Sequence, residues 1–167
     1  MKVMKTKIFL LTFTMCLAVG AAFSAPATKP APASNANPLM GTWKLNEAKS
    51  SIETGTSKNN TVVYSAMGDQ VKIVVDGTDT KGKPSHHEWV GKFDGKFYRV
   101  KGDSMSDMRA YKKINDRTLD FTVKHHGAVT VTGHIMVSAD GKSRTVTTRR
   151  VDVNGRRFAS KAVYDKK

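Results

Sequence analysis

The sequence predicts an all-β domain, closed as a single antiparallel up-and-down β-barrel of about eight to ten strands, on three observations. From Leu39 onward the chain is a succession of short runs in which apolar and polar residues alternate, the period-two signature of half-buried strands. Asp94-Gly95, Asp140-Gly141 and Asn154-Gly155 lie between such runs and supply the positive φ that tight hairpin turns require. No stretch carries the spacing of an amphipathic helix. Strands joined by short turns are antiparallel neighbours, and a long meander loses its exposed edges most simply by closing on itself. A β-sandwich is the second architecture; the turn signals are too irregularly spaced for propeller blades or a solenoid.

The first 24 residues differ from the rest. Lys2, Lys5 and Lys7 precede an apolar run from Ile8 to Ala22 and then Ala22-Phe23-Ser24, which is the layout of a secretory signal cleaved after Ser24 or Ala25. The run is short for a membrane span, so the expectation is a periplasmic or secreted protein without a transmembrane segment after signal removal. Cys16, the one cysteine, leaves with the signal, which excludes disulfides, thiolate catalysis and cysteine zinc sites from the exported chain. Phe13-Thr14-Met15 before it lacks the small residues of a lipid-attachment site. Residues 25–38, APATKPAPASNANP, hold four of the five prolines and form a flexible spacer; residues 39–167 are the barrel.

Within that domain the runs 42–46, 61–66, 71–75, 87–93, 96–101, 109–114, 118–124, 129–137, 143–153 and 158–164 each predict a strand. Their inward faces are set by alternation: Val62, Tyr64 and Ala66; Val71, Ile73 and Val75; Trp89 and Phe93; Leu119, Phe121 and Val123; and Val129, Val131, Gly133, Ile135 and Val137. Phe97 reads as a core residue beside Phe93. Asp69 and Asn115-Asp116 mark further corners.

The opening phrase Gly41-Thr42-Trp43-Lys44-Leu45 and the closing phrase Ala162-Val163-Tyr164-Asp165-Lys166 resemble the first and last strands of the lipocalin and fatty-acid-binding protein superfamily (the calycins). The whole of 39–167, with phrases such as GTWKLN, EWVGKFDGK and VSADGK, is similar to exported bacterial lipocalin-like proteins of uncharacterised function. The resemblance implies that Gly41 and Trp43 form a structural plug at one end of the barrel while the wall encloses a cavity. It also implies a basic side chain late in the chain covering Trp43, for which Arg149, Arg150 and Lys161 are candidates. One departure matters. Fatty-acid-binding proteins commonly hold a carboxylate with Arg-x-Tyr in the last strand, and the matching positions here are Ala162 and Tyr164. With the arginine absent, a long-chain fatty acid is no default ligand.

The five histidines suggest metal only weakly. Adjacent strand residues face opposite ways, so His87 and His125 turn inward while His86, Glu88, His126 and His134 turn outward. The spacing allows an outer site from His126 and His134 across the hairpin of Gly127-Ala128, with His86 or Glu88 as a third ligand; exposed strand-end histidines are the plain alternative, and no cofactor is expected. No Gly-x-Ser-x-Gly, paired carboxylate or phosphate-cradling loop occurs, and most aspartates occupy turns, so the chain reads as no enzyme. The exported chain carries +11, the +14 of the whole less the three signal lysines. That charge is scattered in pairs such as Lys112-Lys113 and Arg149-Arg150, which suits an anionic envelope surface better than nucleic acid.

The reading is therefore an exported binding protein that takes a small hydrophobic or amphipathic molecule into its barrel, with Tyr64, Trp89, Tyr98, Tyr111 and Tyr164 as the candidate contacts. The alternative is a barrel filled by its own side chains whose basic surface contacts anionic surfaces or partner proteins.

Overall fold

A computed structural model describes residues 37–151 and 155–167. The signal reading, most of the spacer and Asn154 lie outside the described residues. Ten strands follow in order: β1 (Gly41–Leu45), β2 (Lys58–Met67), β3 (Gln70–Thr78), β4 (Pro84–Gly91), β5 (Asp94–Lys101), β6 (Met108–Asn115), β7 (Thr118–His125), β8 (Ala128–Val137), β9 (Ser143–Val151) and β10 (Arg157–Lys166). Each pairs antiparallel with its sequence neighbours, and β1 closes on β10 through Trp43↔Lys166 and Leu45↔Tyr164. The result is the closed up-and-down barrel that alternation and turn chemistry predict. Among the described residues a single 3-10 turn, Glu47–Lys49, is capped by Asn46. Among the described residues no helix is long and apolar enough to cross a membrane.

The hairpins turn where short polar and glycine-bearing pairs stand. His125↔Ala128 brackets His126-Gly127, whose φ values of 49° and 82° make a type I′ turn. Met67↔Gln70 and Asn115↔Thr118 bracket two-residue turns at Gly68-Asp69 and Asp116-Arg117. The connections after β2, β4, β6 and β8 gather at one end of the barrel with the start of β1, and those after β3, β5, β7 and β9 gather at the other.

The core is one interior cluster in which Trp43, Trp89, Leu39, Ile73 and Leu119 are wholly buried. Each such side chain contributes about 1.5–3 kcal/mol of burial energy. Three inward assignments need correction. Phe97 lies outside: the β4–β5 ladder sets Trp89 against Val100, which turns Tyr98 and Val100 inward and leaves the Phe97 ring under the Lys124 ammonium, 4.1 Å from its centroid. Val129 is 52% exposed, because a register shift between Val123 and Lys124 leaves Thr130 as an extra residue and reverses the alternation beyond it. Ala66 is exposed near the end of β2. Gly133 does face inward, and its missing side chain is filled by Phe121: a Cβ there would stand 2.3 Å from the ring.

Candidate functional site

The end where β1 begins is closed by Trp43, 0% exposed, whose indole N–H donates to the Leu39 carbonyl at 3.2 Å. Its covering cations are Arg144, with the guanidinium carbon 4.9 Å from the ring, and Lys166, with Nζ at 5.1 Å. This corrects the candidates drawn from the sequence. Arg149 and Lys161 lie on the outer face, in register with Thr132 and Thr147, and Arg150 stacks on Phe158 at 5.1 Å. Gly41, at φ 111°, is required by the same closure. A Cβ there would lie 2.9 Å from Lys166 Cε, in the path by which that side chain reaches Trp43 and the Pro38 carbonyl.

Below the plug, Arg144 is 3% exposed and also lies 4.8 Å from the rings of both Tyr64 and Tyr164. The arginine absent from β10 is thus supplied by β9, since Tyr164↔Arg144 is a register pair. Among the described residues Arg144 has no carboxylate within ion-pair distance, and its buried Nε has no hydrogen-bond partner. The cation is held by ring faces, each worth about 0.5–2 kcal/mol, and by the Tyr64 hydroxyl.

Next comes an aromatic layer. Trp89 meets Tyr111 at 4.8 Å and Tyr98 at 5.7 Å edge-on, and stacks on Phe93 at 6.2 Å. Tyr111 meets Phe121 at 5.8 Å, and Tyr64 meets Phe93 at 6.4 Å. The five residues named from the sequence, Tyr64, Trp89, Tyr98, Tyr111 and Tyr164, therefore all belong to one packed interior cluster. Burial pushes the phenols of Tyr64 and Tyr164 above the ordinary tyrosine range.

Toward the opposite end the interior turns polar. Arg109, 9% exposed, reaches Asp103 Oδ2 and Ser106 Oγ, both at 3.4 Å, and its carbonyl accepts the Trp89 indole N–H at 3.0 Å. Burial works against its charge, but Tyr111, Asp103 and Tyr64 outweigh it and hold Arg109 as a cation. His87, 7% exposed, is held neutral: burial first, then the Arg109 charge, brings its pKa down to about 4. His87 Nε2 and Arg109 Nε are both buried without a partner. Among the described residues, Arg109 is thus met by Asp103 and Arg144 by no carboxylate, while Asp107 keeps one buried carboxylate oxygen without a hydrogen-bond partner.

The outward histidines stay apart. His134 Nδ1 pairs with Asp120 at 2.6 Å, and His86 Nδ1 pairs with Asp76 at 2.7 Å, each with its cross-strand register partner. His126 sits in the β7–β8 turn, its amide donating to Asp107 at 2.9 Å. Along β8 its distance from His134 is on the order of 20 Å at about 3.3 Å per residue, and His86 is four strands away. No group of three or more metal-ligating side chains assembles among the described residues. On the outer wall a groove of about 820 Å³ runs across β7 to β10, lined by Asp120, Thr132, His134, Thr147, Arg149 and Lys161 among others.

The sequence reading missed Arg109, Arg144 and Asp103. The signal for the arginines was present, since Arg109 alternates in phase with Tyr111 and Arg144 with Val146; only the habit of placing charge outside hid it.

A closed ten-strand up-and-down barrel, plugged at one end by a tryptophan and lined with aromatic and cationic side chains, has calycin-like architecture. The chain matches no known family model and no curated protein sequence. Among solved structures it is similar to that of EF1p2_mFAP2b bound to DFHBI, with TM-score 0.45 and 12% identity over 78% of this chain and 94% of that one.

Proposed function

We propose that this chain is an exported, non-enzymatic binding protein, periplasmic or secreted, that holds one small, partly apolar molecule with an anionic or acceptor-bearing end inside the barrel. The observation that carries the reading is the interior charge: Arg144 is buried with no carboxylate within ion-pair distance among the described residues, and Arg109 is buried against Asp103, so a bound anion would complete the balance. Tyr64, Trp89, Tyr98, Tyr111 and Tyr164 line the apolar part of the path. Entry is from the end opposite Trp43, where the inward-facing Thr148, Arg150 and Ser160 are only half-buried.

The energetics set a scale. A ten-carbon chain offers about 8 kcal/mol of burial at ~0.8 kcal/mol per CH₂, and association removes several kcal/mol. Micromolar affinity follows unless a guanidinium contact adds to it. The placement of Arg144 also removes the objection to carboxylates raised by the missing β10 arginine.

The second reading, a self-filled barrel acting through its basic surface, draws on the ring-to-ring packing of the interior and on the outer groove bearing Arg149 and Lys161. Native mass spectrometry of the exported protein separates the two. A bound mass of a few hundred daltons, released on denaturation, supports the carrier; a bare mass that is unchanged when lipid extracts are offered refutes it.

A further inference from the structure

Arg109 is under-used as a donor. Tyr111 supports its charge, its contacts to Asp103 and Ser106 are long, both at 3.4 Å through one terminal nitrogen, and its Nε is buried with no partner. A guanidinium with five donors, buried beside the neutral and likewise unpartnered His87 Nε2, presents a site for an oxyanion in two-pronged contact.

The carboxylate now at that guanidinium belongs to the chain itself. Asp103 lies in the β5–β6 connection, where its Oδ2 accepts from Ser106 Oγ at 2.6 Å and its Oδ1 accepts from the Met105 amide at 2.8 Å. The connection is tied down at its edges as well. The Val100 amide donates to the Asp107 carbonyl at 2.9 Å, and Gly102, at φ 81°, packs against the β4 backbone so closely that a Cβ would stand 2.6 Å from the His86 carbonyl oxygen. Between these anchors Met105 is 64% exposed while Ser106 is 3% exposed. The segment therefore has an outer side free in solvent and an inner side held by Asp103, and it lies at the end of the barrel opposite the Trp43 plug.

We propose that Asp103 is a built-in surrogate for the ligand's anionic end: a carboxylate or similar oxyanion on an apolar body displaces it from Arg109 and thereby loosens the 102–107 connection. This rests on the interior-binding reading above and adds to it a ligand class and a residue that sets affinity. Its physical basis is competition for one buried cation. While Asp103 compensates Arg109, an incoming anion must replace that contact; with the carboxylate removed, Arg109 is left as an uncompensated buried charge that favours any anion reaching it.

The test compares the full exported chain with its Asp103→Asn variant, which keeps an acceptor for the Met105 amide while losing the charge. Binding of decanoate and of 1-decanol is measured by calorimetry. The expected result is that D103N binds decanoate about tenfold more tightly than the unaltered protein, with decanol affinity unchanged. In the unaltered protein, decanoate but not decanol should also accelerate hydrogen exchange at the Met105 and Asp107 amides. Arg109→Met, checked for its fold by circular dichroism, should lose the preference for decanoate over decanol. Equal decanoate affinity in the two proteins, with decanoate still bound inside the barrel, overturns the surrogate role and leaves the carrier standing. Binding of neither probe to either protein overturns both.

Discussion

At the scale of single residues the buried polar groups carry the chemistry, and His87 is the one whose titration is easiest to observe. Its neighbours are Arg109, Asp103, His86 and Asp76. With a folded pKa near 4 against an unfolded value near 6.5, protonation favours the unfolded chain. The contribution of neutral His87 is therefore fully present above about pH 6.5 and is lost as pH falls toward 4, by up to about 3 kcal/mol at 1.36 kcal/mol per unit. Surface carboxylates with depressed pKa values, such as Asp69 beside Lys92, weaken the fold in acid too, so the informative quantity is a difference. Thermal melts of the protein and of His87→Gln should converge as pH drops from 7 to 4; parallel curves would contradict a buried neutral His87. The same scale shows why charge position escapes a residue-type rule. Arg144 is inside because three ring faces receive it, while Arg149 nearby in the same strand lines an outer groove and Arg150, in phase with Arg144, stacks on Phe158.

At the scale of elements, alternation and turn chemistry do most of the work. The strand runs, their order and most of the glycine-bearing turns were legible because each is a local property: period two, positive φ, β-branched residues; Asp94-Gly95 is the exception, opening β5 ahead of a register shift while the β4–β5 connection falls at Lys92-Phe93. Register was not, because it depends on where a bulge inserts a residue. The shift near Thr130 turned Val129 outward, and the Trp89↔Val100 pairing turned Phe97 to the outer face, in both cases against simple counting. Gly133 shows the complementary effect, a gap in one strand filled by a ring from the next. Gly133→Ala would bring its Cβ to 2.3 Å from Phe121 and 2.7 Å from the Thr147 carbonyl oxygen. The expected cost is about 1–3 kcal/mol, measured by urea unfolding, and Phe121→Leu in the same chain should recover part of it; a cost no different with Phe121 in place or trimmed would rule out this packing account.

For the whole molecule, the relevant contrast is between a buried site and a charged exterior. Charges on the outer wall are screened within about 8 Å at physiological ionic strength, whereas the Arg109 and Arg144 guanidiniums lie below the surface. Decanoate affinity should thus change by less than about threefold between roughly 50 and 500 mM salt, while adsorption to anionic vesicles, if the exterior drives any, should collapse over the same range. A steep fall in decanoate affinity would place that ligand on the outer wall and not in the barrel.

The sequence by itself determined an antiparallel barrel of about eight to ten strands, which follows from periodicity and turn stereochemistry acting over a few residues; the plug at Gly41 and Trp43 was implied by the resemblance of the opening phrase, and Tyr64, Trp89, Tyr98, Tyr111 and Tyr164 were candidate contacts that the structure gathers in one interior cluster. Only the tertiary structure decided which cations cover Trp43, that β9 supplies beside Tyr164 the arginine β10 lacks, that the histidines stay with cross-strand aspartates, and that Asp103 folds back onto Arg109. Each of these depends on which strands lie side by side and in what register. That is fixed by closing the whole sheet and burying its inner face, and no local run of residues encodes it.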